Sequence, residues 1–257
     1  MDSNSYKQIL EVYFSDGVEA YIPQVSINCV IFRYDHPTLK VLFHSLPGTD
    51  QWYLPGGYVR NEESLEEAAY RNLSYYGINE VFLRQTHTFG EVDRIQRLTE
   101  LDFSDSSQIG EIVEWASKRF VTVAYYGLVN KSSTDALKRG LFKEVIWCDV
   151  NQLYNIGLDH ANITTETRRL LSTELLNYPV AFNLLQKNFT LNELRGLFES
   201  IIDRTIDRGT FRRKILQLGI IKQIDERKDS VGRPSHLYHF DQEAYHRLLK
   251  EQTKFGF

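Results

Sequence analysis

Cysteine is scarce in this chain, which has only two among its 257 residues, Cys29 and Cys148. They lie far apart and belong to no Cys-x-x-Cys or Cys/His pattern. A disulfide framework needs several paired cysteines, and a structural zinc site needs closely spaced ligands, so the sequence argues against both. We therefore expect a protein of a reducing compartment, the cytoplasm.

Long apolar runs are also missing. No window approaches the ~20 apolar residues that cross a bilayer, and the first five residues have neither the basic start nor the apolar core of a signal peptide. Only 15 Gly and 6 Pro are present, which excludes collagen-like and low-complexity material. With 42% hydrophobic residues the chain can bury a core. We expect one large domain or two ordinary ones and no membrane partner.

Charge is distributed unevenly along the chain. Residues 1–160 carry 14 Lys and Arg against 22 Asp and Glu, a net charge of −8. Residues 161–257 carry 16 against 12, a net charge of +4. This asymmetry predicts two domains with different partners.

The first half alternates short apolar runs with turns. A capping box of Ser64 and Glu67 opens one clear helix that ends near Gly77. Strands mixed with a few helices predict an α/β (α+β) mixed-sheet sandwich. Strands are predicted over residues 25–32, 39–44, 81–83, 120–129 and 145–147, and further helices over 107–118 and 160–177. We expect domains at 1–160 and 179–257, joined by a connecting helix at 161–178.

The order of elements after residue 178 is three helices followed by a hairpin. Residues 180–186 read as a short helix, and Thr190 with Glu193 forms a second capping box that opens a helix to about Ile202. Asp207 caps a third helix that ends at Gly219. The hairpin has a charged tip at 225–233, as a wing does. The order predicts a C-terminal winged helix-turn-helix domain.

Basic residues concentrate on the third helix and the wing. Residues 204–233 carry nine Lys and Arg against four Asp and Glu, enough to neutralise several phosphates. We therefore predict binding to double-stranded DNA, although winged helices that only bind proteins stay an alternative. The predicted DNA-binding residues are Arg208, Thr210, Arg212, Arg213, Lys214, Gln217, Lys228 and Arg233.

Residues 54–73 resemble the Nudix box of diphosphate hydrolases, with Gly57, Glu63 and Arg71 at the expected spacings. The resemblance implies that carboxylates should follow the arginine and hold Mg²⁺. This chain has Asn72-Leu73-Ser74-Tyr75-Tyr76 there instead, and it is one residue short before the glycine. Asn, Ser and Tyr are poor substitutes for anionic oxygens. We therefore expect a Nudix-like frame without catalysis, metal or cofactor.

Further strings extend the resemblance to the whole chain. These strings are residues 88–94, 157–160, 189–194, 210–216 and 232–234. Their order along the chain, after the degenerate box, resembles that of the Nudix-related transcriptional regulators. The resemblance implies a dimeric bacterial regulator that senses a metabolite such as ADP-ribose or a pentose sugar. The insertion at 98–118 is similar to that of sugar-responsive members, including arabinose-responsive ones.

A sugar effector is the preferred expectation. The missing carboxylates remove the metal bridge that would anchor a diphosphate, and the net charge of −8 would repel an anion. A sugar suits a polar pocket with aromatic walls. The candidate effector residues are Gln24, Ser26, Trp52, Tyr53, His87, Glu91 and Asp93. Instead of binding the effector, Trp52 and Tyr53 could belong to the hydrophobic core, and Asp93 could pair with Arg94.

The expected mechanism is repression of sugar-utilisation genes by a homodimer on a palindromic operator, with two half-sites on one DNA face. Effector binding changes the angle between domains or subunits, and the connecting helix is the expected lever and dimer contact. The alternatives are a regulator that responds to ADP-ribose or another nucleotide, and an active Nudix diphosphate hydrolase.

Overall fold

The computed structural model describes residues 12, 14–46, 49–92, 94, 107–116, 118–131, 134, 137, 142, 144–175, 179–227, 235–244 and 247. Its helices are α1 (Leu65–Ser74), α2 (Ser107–Ala116), α3 (His160–Leu175), α4 (Leu191–Ile202) and α5 (Arg208–Gln217). Its strands are β1 (Tyr21–Asp35), β2 (Thr38–Ser45), β3 (Trp52–Tyr53), β4 (Gly56–Arg60), β5 (Phe82–Phe89), β6 (Val121–Val129), β7 (Glu144–Asp149), β8 (Phe189–Thr190), β9 (Ile221–Arg227) and β10 (Ser235–Phe240). Short 3₁₀ helices cover Val18–Ala20 and Pro179–Leu184.

The first seven strands form one mixed sheet. Its strand order is β3-β2-β1-β6-β5, with β4 pairing to β1 and β7 to β2. Every residue from Ile27 to Tyr34 in β1 is buried, as is every residue of β6 from Thr122 to Val129. Burial of both alternating faces is the property of a strand covered on both sides. The predicted strands at 25–32 and 120–129 are therefore confirmed as the centre of the sheet.

Strands β3 and β4 were not predicted from the sequence. β4 pairs antiparallel with β1, so that Asn28 lies opposite Gly56 and Ser26 opposite Tyr58. A Cβ on Gly56 would lie 2.4 Å from the carbonyl oxygen of Ile27, so only glycine permits this close pairing. β3 has only two residues and β4 begins with two glycines, so these strands depend on pairing with their neighbours.

Helix α1 has the ends that the sequence predicts. The Ser64 hydroxyl accepts from the Glu67 N–H, and the Glu67 carboxylate accepts from the Ser64 N–H at 2.8 Å. Gly77 closes the following turn with φ of +79°. The capping box satisfies backbone donors that the helix itself leaves free, so the helix begins where the sequence places it.

A second sheet follows in the C-terminal part, with strand order β8-β10-β9. Thr190 caps α4 through its capping box with Glu193, and Asp207 caps α5. The helix predicted at 180–186 is instead the 3₁₀ helix Pro179–Leu184. A six-residue segment makes few α-type hydrogen bonds, so the tighter i→i+3 pattern competes well. Helices α4 and α5 with the hairpin confirm the predicted winged helix-turn-helix.

Backbone contacts divide the chain into two units. One contains Met1–Ile31, Val41–Gly127 and Ala136–Thr167, and the other contains Phe32–Lys40, Leu128–Asp135 and Arg168–Phe257. The boundary falls within β1, β2, β6 and α3. The domain boundaries expected from the sequence stay a prediction. Within the described ranges, no helix is long and apolar enough to cross a membrane.

Candidate DNA-binding and effector sites

Helix α5 is fixed by its cap and by two buried side chains. The Asp207 carboxylate accepts from the Thr210 N–H at 2.8 Å. This backbone hydrogen bond holds the pKa of Asp207 below its usual range. Phe211 and Ile215 are buried and anchor one face of the helix. These contacts determine which side chains of the helix face outward.

That remaining face is basic. Arg208, Arg212, Arg213 and Gln217 are exposed, whereas Thr210 and Lys214 are partly buried. The helix Arg208–Gln217 contains four basic residues and no acidic one. The structure therefore collects six of the predicted DNA-binding residues on one helix. Guanidinium and amide groups in this arrangement can hydrogen-bond base edges and phosphates.

The turn between α4 and α5 is braced by polar contacts. The Glu199 carboxylate accepts from the Ile206 N–H at 2.7 Å and pairs with Arg195. Arg168 of α3 donates to the carbonyl oxygens of Ser200 at 2.6 Å and Ile201 at 3.2 Å. These bonds satisfy carbonyls at the end of α4 and fix the direction in which α5 leaves the turn.

The wing is defined only at its base. Strands β9 and β10 pair from Ile221 with Phe240 to Arg227 with Ser235. Lys228 and Arg233, predicted to contact DNA, lie outside the described residues. Lys222 forms an ion pair with Asp241 at 2.7 Å, and this hydrogen bond holds the pKa of Asp241 below its usual range. The Lys222 ammonium group is therefore paired with a carboxylate of this domain.

Two of the polar positions on β1 lie close to other strands. The Ser26 hydroxyl is 2.6 Å from the Thr122 hydroxyl of β6. Asn28 is buried beside Gly56, and Gln24 is partly buried with φ of +58° at an irregularity in the β1–β4 pairing. Such a left-handed residue within a strand costs energy and is frequent at bulges and binding sites.

The aromatic candidates Trp52 and Tyr53 are half-buried. The Tyr53 ring lies edge-on to His160, with centroids 5.9 Å apart, and its hydroxyl donates to Gln51 at 3.1 Å. A Cβ on Gly157 would lie 2.4 Å from a Tyr53 ring carbon. Tyr53 is thus packed against the segment before α3, as the alternative of a role in the core would require.

Two of the remaining effector candidates, His87 and Glu91, lie at or just after an edge strand of the sheet. His87 on the edge strand β5 and Glu91 just after it are exposed, and Asp93 lies outside the described residues. Arg94 forms a two-pronged ion pair with Asp159 at 2.6 and 3.0 Å. The sequence flagged Asp159 only within the 157–160 string, because the two partners are 65 positions apart.

Arg94 makes two further bonds from an almost fully buried position. It donates to the carbonyl oxygens of Phe89 at 2.9 Å and Phe120 at 3.2 Å. One guanidinium thereby joins the end of β5, the start of β6 and the start of α3. Sequence reasoning did not identify this clamp.

The Nudix-type box retains its ion pair. Arg71 donates to Glu63 at 2.8 Å through Nε and to the Tyr58 carbonyl oxygen at 2.8 Å. Glu63 also accepts from the Arg60 N–H at 2.9 Å. Burial alone would raise the pKa of Glu63, but the hydrogen bonds from Arg71 and Arg60 hold it below its usual range. Glu63 therefore stabilises the loop before α1.

The same helix does not fit a magnesium ion. Asn72, which follows Arg71, is 1% exposed and uses its amide to donate to the Ala68 carbonyl at 2.8 Å. Tyr76 is buried, with its hydroxyl 2.8 Å from Nδ1 of His44. Among the described residues no group of three or more His, Cys, Asp and Glu is placed to hold a metal ion. Mg²⁺ sites of this kind rely on anionic carboxylate oxygens, whereas the Asn72 and Tyr76 side chains are neutral and buried.

Two buried histidines line this part of the core. His44 packs on Phe142 and bonds Tyr76, and His160 accepts from the Leu54 N–H at 2.9 Å. Burial lowers the pKa of His44 from 6.5 to about 3, with a smaller contribution from His160. Burial also lowers the pKa of His160 to about 4. Both rings are neutral in the folded protein at neutral pH.

Acidification should therefore destabilise the protein before its carboxylates titrate. In the unfolded chain both histidines bind protons below about pH 6.5, whereas the folded state resists until about pH 4. The contribution of the two neutral histidines to the free energy of unfolding is complete above pH 6.5. It declines as the pH falls toward their pKa values in the folded state. Between pH 7 and pH 5 we expect a loss of about 2 kcal/mol per histidine, measured by urea unfolding. His44→Gln should remove about half of this loss, and an unchanged pH dependence would contradict the assignment.

Comparison with known proteins places these features in context. Residues 181–240 match the family model described as the NrtR DNA-binding winged helix domain. The chain is 24% identical over 230 residues to a curated protein of Acinetobacter baylyi named ADPR responsive transcriptional repressor NtrR, a match that covers 87% of this chain and 84% of the relative.

Two solved structures share the fold over nearly the whole chain. One is NrtR of Shewanella oneidensis in complex with a 27mer DNA, with 24% identity, TM-score 0.68, and coverage of 87% of this chain and 96% of that one. The other is a MutT/nudix family protein of Enterococcus faecalis, with 21% identity, TM-score 0.61, and coverage of 93% and 97%. The predicted fold class, a Nudix-like mixed-sheet domain followed by a winged helix domain, is confirmed.

Proposed function

We propose that this protein is a DNA-binding transcriptional repressor whose Nudix-like domain binds a small-molecule effector without hydrolysing it. The observation that carries the proposal is the exposed basic face of α5, which lies within the segment that matches the NrtR winged helix model. Buried Phe211 and Ile215 hold that face outward, as a helix that enters the major groove requires.

For the effector we propose ADP-ribose. The curated relative is named as responsive to it, and none of the relatives described above supports the sugar, arabinose in particular, that the sequence favoured. Since the residues of α1 do not fit Mg²⁺, the diphosphate must be held by direct hydrogen bonds from the chain. The net charge of −8 on residues 1–160 does not exclude an anionic ligand, because a binding pocket depends on its local charges.

We propose a homodimer on a palindromic operator, because one α5 reads only one short stretch of groove. Two recognition helices per dimer would then contact half-sites about one helical turn apart. Analytical ultracentrifugation of the free protein and of the complex with one duplex tests this stoichiometry. A single chain bound per duplex would contradict it.

The direct test uses full-length protein and a duplex selected in vitro from random DNA. Fluorescence anisotropy would measure operator affinity, and ADP-ribose or L-arabinose would then be added at equal concentrations. We expect ADP-ribose to weaken operator binding by at least about tenfold, within the usual range of coupling between sites. Release by arabinose alone would contradict ADP-ribose as the effector but leave the proposed DNA binding intact. Failure to select any duplex would contradict the proposal that the protein is a repressor.

Incubation of the protein with ADP-ribose and Mg²⁺ should give no turnover. Glu63 is already occupied by Arg71 and Arg60, and Asn72 and Tyr76 supply no metal ligand. Chromatographic detection of AMP measures the reaction. Turnover that Glu63→Gln abolishes would favour the hydrolase instead, whereas turnover that survives this substitution indicates a contaminating enzyme.

A further inference from the structure

A glycine interrupts the middle of α4, the first helix of the helix-turn-helix. Glycine is unfavourable inside helices, so its presence in Leu191–Ile202 needs a reason. A Cβ on Gly196 would lie 2.6 Å from the Tyr34 hydroxyl oxygen and 3.3 Å from two ring atoms of His36. The absent side chain therefore makes room for the tip of the β1–β2 hairpin.

That hairpin tip is well ordered by its own contacts. The Tyr34 hydroxyl lies 2.8 Å from Nδ1 of His36, and the two rings meet edge to face. Tyr34 is only 6% exposed, and burial, with the nearby carboxylates Glu193 and Glu199, raises its pKa. Its hydroxyl thus keeps its proton. Since the ring is buried, it cannot swing aside freely to admit a methyl group.

Ion pairs stiffen the same turn. Asp35 accepts from Arg33 at 2.7 Å and from Lys40 at 3.3 Å. Arg33 also donates to the Thr134 hydroxyl at 3.3 Å. These contacts and those to Gly196 all lie within the second unit, which contains Phe32–Lys40 together with the winged helix.

Strand β1 and helix α4 each continue to a functional region. Beyond the irregularity at Gln24, β1 continues to Asp35, so the polar positions Ser26 and Asn28 lie on the strand that ends in the hairpin tip. At its C-terminal end, α4 carries Glu199, which holds the Ile206 N–H before α5. A displacement of the hairpin tip against Gly196 would thus reach the element that positions the basic helix.

We propose that the β1–β2 hairpin tip, docked on α4 at Gly196, holds the helix-turn-helix in its operator-binding arrangement and transmits effector binding from the Nudix-like sheet. Gly196 and Tyr34 are positioning residues that do not touch DNA or ligand. The inference rests on the proposed function for its DNA and ligand readouts, but not for its stability readout.

Gly196→Ala tests the contact with opposite expectations for docking and no docking. Without docking, alanine improves the helix and raises Tm by about 2–4 °C. With docking, the methyl group displaces Tyr34, and we expect a lower Tm, about tenfold weaker operator binding, and a smaller effect of ADP-ribose on operator affinity. ADP-ribose binding, followed by calorimetry, should remain within about threefold.

Tyr34→Phe in the same chain supplies the rescue. It removes the oxygen that the new methyl group would meet, so Tyr34→Phe/Gly196→Ala should regain operator affinity to within about threefold of wild type. Ser74→Ala, at an exposed position of α1, controls for helix propensity and should leave operator affinity unchanged. A Gly196→Ala variant with raised Tm and wild-type operator affinity would overturn the proposal, as would failure of the double variant to recover. Should wild type bind no DNA, the repressor is wrong, and the order of Tm values still decides whether the tip is docked.

Discussion

Replacing both Arg212 and Arg213 by alanine should lower operator affinity by at least about 100-fold. Both side chains are exposed on α5 and project from a helix that Phe211 and Ile215 hold by its other face. A base-reading arginine contributes about 1–3 kcal/mol, and each lost phosphate contact reduces the salt dependence of binding by about one unit. Anisotropy titrations at several salt concentrations measure both quantities.

Arg212→Lys/Arg213→Lys is the matched control, since it keeps the charge and removes the planar fork. If the arginines read bases, the lysine variant should retain nonspecific affinity but lose discrimination against unrelated duplexes. Lys118→Ala, which removes a cation from the first unit, should leave operator affinity unaltered. Unchanged affinity of the double alanine variant would remove α5 from the DNA interface and favour a winged helix that binds only proteins.

Arg94→Ala should strongly destabilise the Nudix-like domain. The side chain is 5% exposed and bonds Asp159, Phe89 and Phe120 together. Its removal leaves a partly buried carboxylate and two carbonyl groups without this donor. Breaking a buried ion pair costs about 3–5 kcal/mol, so Tm should fall by roughly 6–12 °C or more.

Asp159→Asn separates the charge from the geometry of this clamp. The amide can still accept from Arg94, so we expect a smaller loss, about 1–2 kcal/mol. Arg94→Ala/Asp159→Ala should be more stable than the sum of the two single alanine losses predicts, because the unpaired carboxylate is gone. Additive losses in this cycle would mean that the ion pair does not couple the two residues.

Local signals made much of the fold predictable. The capping residues Ser64, Thr190 and Asp207 all begin helices at the predicted positions. Each acts on backbone groups within three residues of itself, so the sequence alone contains the necessary information. The central strands were equally clear because their burial on both faces leaves long apolar runs.

Features that depend on distant partners were not predictable in this way. Strands β3 and β8 have two residues each and β4 begins with two glycines, so they are too short or too weak to be recognised without the neighbouring strands that pair with them. Arg94 and Asp159 gave no local sign of their pairing. Gly196 was visible in the sequence as an isolated glycine inside a helical pattern, and such a glycine often indicates close packing. The effector residues remain predictions, because a binding pocket needs side chains from several strands at once.

The packing around Tyr76 restricts which substitutions could place a metal ligand in this part of the chain. Its ring is stacked on Phe142 with centroids 4.8 Å apart, while its hydroxyl bonds a histidine that burial keeps neutral. A glutamate at this position would put an anion into the buried interior, and at Asn72 it would lose the amide's bond to Ala68. Neither substitution can be made alone without weakening the core, so placing a pair of carboxylates here requires several coupled substitutions.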